Sequence, residues 1–145
     1  GLVNAGGDIR AAGPQPDGSP WRIGVRDPLR PDGLLATLEL PGDAAVATSG
    51  TYEQFVEIEG RRVSHIIDPR GGEPAAGVVS ATVTAPTAMR ADALATACVV
   101  LDPSEALRLL ESLPDVEGLL VAHRPDGRHR LERTSGMGVE MLRSV

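Results

Sequence analysis

Val78-Val79-Ser80-Ala81-Thr82-Val83-Thr84-Ala85-Pro86-Thr87-Ala88-Met89-Arg90-Ala91-Asp92-Ala93-Leu94-Ala95-Thr96-Ala97-Cys98-Val99-Val100-Leu101 changes its hydrophobic period in mid-course. Val78–Thr84 alternates and is rich in β-branched residues, which predicts a strand. Pro86–Leu101 is Ala-rich with no internal Gly or Pro, which predicts a helix begun by Thr87 or Ala85. Downstream, Ala106, Leu109, Leu110 and Leu113 fall at helical spacing, so Pro103–Leu113 reads as a second helix with Ser104 or Asp102 as cap. Gly118–Ala122 and Arg128–Arg133 then read as a strand pair turned at Pro125-Asp126-Gly127. Upstream, strands are expected at Leu2–Ala5, Trp21–Val25, Leu34–Leu40 and Ala44–Thr48, with a hairpin of Phe55–Ile58 and Arg62–Ile67 around Glu59-Gly60-Arg61. Arg10–Pro20, rich in Gly and Pro, reads as a loop, and turns are expected at Asp27-Pro28 with Pro31-Asp32-Gly33, at Pro41-Gly42-Asp43 and across Asp68–Pro74. Antiparallel strands followed by two helices indicate an α+β fold, a largely antiparallel or mixed sheet packed with helices.

The chain has 145 residues, which suits one domain. Aromatic residues make up only 2%, so Val, Leu, Ile and Ala must build the core, and few rings are available to stack on nucleic-acid bases. The net charge of -6 shows no basic patch for a phosphate backbone, and no nucleic-acid partner is expected. All 14 basic residues are Arg. A Walker A lysine, a Schiff-base lysine and a Ser-Lys dyad are thereby excluded, and any bound phosphate must be held by backbone N–H groups, Arg or a metal. Cys98 is the single cysteine, so an internal disulfide or a cysteine zinc cluster is impossible. The apolar run Ala91–Leu101 is too short and interrupted to span a membrane. Gly1-Leu2-Val3-Asn4 reads as mid-strand sequence without Met or a leader, so an upstream part of the protein is expected outside these residues.

Asp92 and Thr96 lie four residues apart, so both oxygens share one helix face. Their neighbours are apolar, which predicts a buried helix and therefore a buried carboxylate, costly unless paired or metal-bound. Carboxylate and hydroxyl oxygens suit Mg²⁺. A carboxylate satisfied by backbone N–H groups near the helix start is the plainer alternative and, on spacing alone, the commoner one. In Ser64-His65-Ile66-Ile67-Asp68-Pro69 the strand period puts Val63, His65 and Ile67 on one face. His65, beside a Pro/Gly turn, is a candidate general base; a half-buried His with one backbone partner is the commoner arrangement. His123 and His129 flank a polar turn and read as solvated, and no two His have metal-ligand spacing. Gly6-Gly7 after a strand lets a ligand approach the backbone, or simply makes a tight turn. Thr48-Ser49-Gly50-Thr51-Tyr52 adds hydroxyls at a strand end, without a Ser-His-Asp arrangement.

In order, Asn4-Ala5-Gly6-Gly7-Asp8-Ile9, Trp21-Arg22-Ile23-Gly24-Val25 with Asp27-Pro28, Thr48-Ser49-Gly50-Thr51-Tyr52, Ser64-His65-Ile66-Ile67-Asp68-Pro69 with Gly72 and Pro74, and Ala91-Asp92-Ala93-Leu94-Ala95-Thr96-Ala97 resemble the ApbE family of FAD:protein FMN transferases, formerly called thiamine-biosynthesis lipoproteins. The resemblance runs to about the second helix. It implies an ApbE-like, T-fold-like architecture, of which residues 1–145 are the C-terminal portion. It implies FAD as donor, Mg²⁺ as cofactor, a threonine of a flavoprotein as acceptor, and AMP as leaving group. By motif position Asp92 and Thr96 would be metal ligands, His65 and Asp92 catalytic residues, with His65 a candidate base or substrate-orienting group near the acceptor hydroxyl, and Asn4, Gly6, Gly7, Asp8, Thr48, Ser49 and Gly50 would contribute to the FAD pocket. It favours the metal reading of Asp92 and Thr96. Attack on a diphosphate needs charge neutralisation and a positioned hydroxyl, which such a set supplies without a lysine. The family's Gly-rich segment with a Lys, upstream of the Asn-Ala-Gly-Gly motif, is not in this sequence, so only part of the pocket is expected here. Members are commonly exported and lipid-anchored. Hydrolysis of FAD to FMN and AMP, and flavin binding without chemistry, are the competing readings.

Overall fold

The computed structural model describes residues 1–30, 32–52, 55–58, 61–124 and 126–142. The expected turn residues Pro31, Glu59, Gly60 and Pro125 lie outside these. Eleven strands and two helices are present among the described residues. Strands β1 (Leu2–Ala5), β2 (Asp8–Ala11), β5 (Ala45–Gly50), β8 (Val78–Ala85), β9 (Glu117–His123) and β10 (His129–Arg133) form one antiparallel sheet in the order β1-β2-β5-β8-β9-β10. Strands β3 (Trp21–Arg26), β4 (Leu34–Leu40) and β11 (Val139–Met141) form a second sheet, and β6 (Phe55–Ile58) with β7 (Arg61–Ser64) a hairpin. Helices α1 (Ala88–Val100) and α2 (Pro103–Glu111) complete the α+β fold.

The two-residue period of the central strands sorts side chains into two cores. Ala47, Ala81, Val83, Ala85 and Leu120 face Ala91, Ala95, Cys98 and Val99 of α1 and Ala106 and Leu110 of α2. Small residues on both surfaces let α1 lie close across β5 and β8. On the opposite face Val46, Leu119 and Val121 pack with Leu35, Leu38 and Leu40 of the three-stranded sheet. The molecule is thus layered as helices, large sheet, small sheet. Thr87 caps α1, its side chain accepting from Arg90 N–H at 3.3 Å, and Asp102 caps α2, accepting from Ser104 N–H at 2.9 Å. No described helix is long and apolar enough to cross a membrane.

The expected elements are present, with four differences. The Arg10–Pro20 loop begins only after Ala11, because Asp8–Ala11 returns along β1 as β2. Gly6 and Gly7, at φ 67° and 112°, make the two-residue connection with positive φ at both positions that such a hairpin favours. Strand β5 continues through Ser49 to Gly50, because those residues pair with Ala81 and Ser80. β7 stops at Ser64, whose Oγ accepts from Ile66 N–H at 3.1 Å and turns the chain. The short strand β11 pairs with β4 and has no counterpart in the sequence reading.

Gly42 tests how tightly the loops are fitted. A Cβ there would stand 2.7 Å from the Gly13 carbonyl carbon and 2.9 Å from Pro14 N, both backbone atoms with no rotamer to yield. The Gly13 segment is itself held by the Trp21 indole N–H, which donates to Gly13 O at 2.9 Å. Gly42→Ala is expected to destabilise the fold by about 1–3 kcal/mol. That corresponds to a fall of roughly 3–10 °C in Tm, read by thermal denaturation.

Candidate active site

The end of β5, the Gly6 turn, the segment after β7 and the outer flank of α1 surround a pocket of about 800 Å³. It is lined by Gly6 and Asp8, by Thr48, Ser49 and Gly50, by His65, and by Asp92 and Thr96. Eight residues that stand out in separated parts of the sequence therefore meet at one place. Asn4 and Gly7 do not line it. The Asn4 side chain instead accepts from Gly7 N–H at 3.0 Å and holds the β1–β2 turn in shape.

Asp92 and Thr96 project from the same side of α1, one turn apart, and both are exposed. The expectation of a buried carboxylate is thus corrected. Ala91, Ala95, Cys98 and Val99 make the buried face. The flank bearing Asp92 and Thr96 overhangs the β2 side of the sheet, where no described helix covers it. Ser49 Oγ and Thr96 Oγ1, both of the pocket lining, are hydrogen-bonded at 2.9 Å, which ties the strand to the helix. Thr48 turns the other way by the strand period, and its hydroxyl bonds Thr82 Oγ1 at 2.8 Å across β5 and β8. A Cβ at Gly50 would meet the Tyr52 ring at 2.4 Å and Val79 O at 3.1 Å, so a larger residue there would displace the ring.

The pocket is acidic on its helix side. Burial, and then the neighbouring Asp92 charge, push the Asp8 carboxyl above its ordinary value. His65, exposed just beyond β7, and Arg70 line the same pocket. The alternation expected from the sequence persists past the strand end: Ser64 and Ile66 are buried, His65 and Ile67 exposed. Ile66 O accepts from Ala75 N–H at 2.9 Å, and Ile67 bridges Pro74, so the His65 segment is closed into a loop. Ile66, Ile67, Pro69, Arg70, Ala97, Val100 and Leu101 also line the pocket, and the sequence reading gives them no site role. A signal for Arg70 exists, since it is the one cation in the Asp68–Pro74 turn of a chain without lysine.

His123 and His129, expected to be solvated, stand directly opposite each other on β9 and β10 with ring centroids 4.9 Å apart. His129 is half-buried by this contact. Both lie away from the pocket. Burial pushes the Cys98 thiol up to about 12, which keeps it protonated and unreactive in the core.

A family model described as the ApbE family matches residues 1–120. The FAD:protein FMN transferase of Escherichia coli (strain K12) is 38% identical over 122 residues, covering 83% of this chain and 33% of the relative. The enzyme of the same name from Treponema pallidum (strain Nichols) is 42% identical over 125 residues, covering 86% of this chain and 33% of the relative. The crystal structure of the ApbE protein from Thermotoga maritima superimposes with a TM-score of 0.80 at 40% identity, covering 93% of this chain and 42% of that one. The chain spans about a third of the length of the relatives it matches.

Proposed function

This chain belongs to the ApbE family, and from that premise we propose that it forms one side of the pocket of an FAD:protein FMN transferase, which passes FMN from FAD to a threonine hydroxyl of an acceptor flavoprotein and releases AMP. The observation that supports this best is the meeting of Asp92, Thr96, Ser49, His65 and the Gly6 turn around one pocket of about 800 Å³. Residues 1–145 are the C-terminal portion of the domain on this reading, and the rest of the pocket comes from sequence that the relatives carry outside the matched third.

The donor set fits Mg²⁺. Asp92 and Thr96 offer hard oxygens from one helix face, and Ser49 Oγ, at 2.9 Å, can accept a hydrogen bond from the Thr96 hydroxyl, which leaves Thr96 Oγ1 lone pairs for an ion. Among the described residues no group of three or more His, Cys, Asp or Glu could hold a metal. A two-donor site leaves the remaining positions to water and to a diphosphate, as Mg²⁺ sites commonly do. When bound, the ion supplies neutralisation of diphosphate charge.

The residues of this chain then have distinct roles. The Gly6 turn admits the dinucleotide close to the backbone. Asp92 and Thr96 fix where its diphosphate lies. His65 accepts the proton of the attacking threonine hydroxyl. The hydroxyl oxygen forms a bond to the FMN-side phosphorus, the P–O bond to the adenylate breaks, and AMP leaves with that electron pair.

The test is to incubate the complete protein with FAD, Mg²⁺ and an acceptor domain carrying the target threonine. An FMN mass increment on the acceptor, with one AMP released per adduct, is the expected result. AMP in excess without adduct would identify a hydrolase. FAD bound intact in the presence of Mg²⁺ would identify a binding module.

A further inference from the structure

We propose that Arg70 is a positioning residue that locks the His65 loop to the C-terminal end of α1, keeping the base in register with Asp92 and Thr96; this rests on the transferase reading of the pocket. Arg70 touches both bodies. Its Nε donates to Asp68 Oδ1 at 2.9 Å and to Oδ2 at 3.1 Å, and its Nη2 donates to Asp68 Oδ2 at 2.8 Å. The same Nη2 donates to Val100 O, in the last turn of α1, at 3.1 Å.

Each end of this clamp is built for it. Within the loop, Asp68 Oδ1 also accepts from Arg70 N–H at 2.9 Å, Gly72 N–H donates to Asp68 O at 2.8 Å, and Asp68 N–H donates to Glu73 O at 2.8 Å. Asp68 is therefore held at three points, and the Arg70 guanidinium beside it holds its carboxyl below the usual range. At the helix, the final carbonyls lack intrahelical partners and carry the negative end of the dipole. No basic residue lies in the last turn of α1, so the cation that this end favours arrives from outside, as Arg70. A planar guanidinium can serve carboxylate and carbonyl at once, where an ammonium offers no fixed fork.

Apolar packing alone would not give this register. Ile66 and Ala75 sink into the core cluster that includes Cys98 and Val99, which fixes the depth of the loop. Such contact is non-directional and leaves the loop free to rock about that anchor. His65 and Ile67 flank Ile66 on the exposed side, so rocking would carry His65 across the pocket. Arg70 is the directional link that opposes it, and a misplacement of about 1 Å can cost on the order of 10²-fold in rate.

The experiment compares wild type, Arg70→Gln and Arg70→Lys in the complete protein. Three quantities are read: the single-turnover rate of FMN transfer, FAD affinity by fluorescence titration, and hydrogen exchange by mass spectrometry. In Arg70→Gln the rate should fall roughly 10–100-fold while FAD affinity changes less than about threefold. Arg70→Lys should recover only part of the loss. Exchange should quicken in residues 65–75 and stay unchanged in the β5–β8–β9 core. In a His65→Ala background, Arg70→Gln should cost nothing further, the non-additivity expected of one residue acting through another. FAD affinity lost in step with rate would make Arg70 a substrate ligand and overturn the proposal. So would unchanged rate and exchange. If wild type itself transfers no FMN, the transferase reading fails, and the exchange comparison still decides whether Arg70 holds the loop.

Discussion

Asp92→Asn is expected to eliminate FMN transfer while leaving the fold as stable as before, or slightly more so. The carboxylate is the only charged donor on the α1 face that the pocket sees, and Thr96 beside it is neutral. Asn keeps the shape and the helix but removes the charge, so the several kcal/mol that a bound divalent ion contributes to a phosphoryl transition state should be lost, about 10³-fold or more in rate. Stability responds in the other direction. Asp92 is exposed, and the ion pairs seen among the described residues do not use it. Its one resolved electrostatic effect is to push the Asp8 carboxyl up, behind burial. Neutralising Asp92 removes that repulsion, and the Asp8 carboxyl should move down toward its ordinary value. Three measurements check this together: adduct mass, Tm, and the Tm increment on adding Mg²⁺. Wild type should gain Tm with Mg²⁺ because a ligand that binds only the native state stabilises it, and Asp92→Asn should not. A variant that keeps more than about a tenth of the activity, or that still responds to Mg²⁺, removes Asp92 from the metal site.

That prediction depends on a feature that local pattern misplaces. Met89, Ala93, Leu94, Ala97 and Val100 suggest a helix buried all round, and a helix buried all round would bury Asp92. In the structure Met89 is 81% exposed and Ala93 exposed as well. The reason is that Ala gains little from burial and costs little at the surface, so an Ala-rich helix does not declare its buried face through composition. What does declare it is the sheet. α1 lies over β5 and β8, and its flank over β2 is left open, which is a property of strand order rather than of local pattern.

The same distinction separates what is legible in the sequence from what is not. Strands with clean alternation, such as Val78–Ala85, and helices with capping residues, such as Asp102 before Pro103, are visible because their signals are local. Asp8–Ala11 escapes notice because only four residues of strand precede a run of Gly and Pro, and its pairing with β1 depends on the two-glycine turn. β11 escapes because Val139–Met141 is three residues long and pairs with β4 about a hundred positions away. The residues that line the pocket, by contrast, stand out in the sequence through their chemistry. Gly, His, Asp and Thr residues stand out individually, but nothing local brings His65 and Asp92 to one pocket. The opposed pair His123 and His129 makes the same point, since antiparallel register brings together two rings whose spacing gives no hint of contact.

His65→Ala should separate binding from chemistry. His65 lines the pocket from the loop after β7, is exposed, and shares the pocket with Asp92 and Thr96 of α1. With the diphosphate assigned to Asp92, Thr96 and the Gly6 turn, the variant should bind FAD with wild-type affinity and respond to Mg²⁺ as wild type does. Transfer should fall by about 10²–10⁴-fold, the range that a positioned acid–base group commonly contributes. Because His65 is exposed and its neighbours Ile66 and Ala75 carry the loop's packing, Tm should change little. The open approach allows a further check. Imidazole added to His65→Ala can enter the space the side chain vacates and accept the threonine proton, so activity should rise with imidazole concentration and with pH, as expected of a free base. Wild type should show no such dependence on imidazole. If His65 instead only orients the acceptor by a hydrogen bond, imidazole will not restore turnover, and the loss will appear as weaker acceptor binding at saturating FAD. If transfer is unaffected, the proton leaves by another route, and the carboxylate pair Asp8 and Asp92, already in the same pocket, becomes the place to look for it.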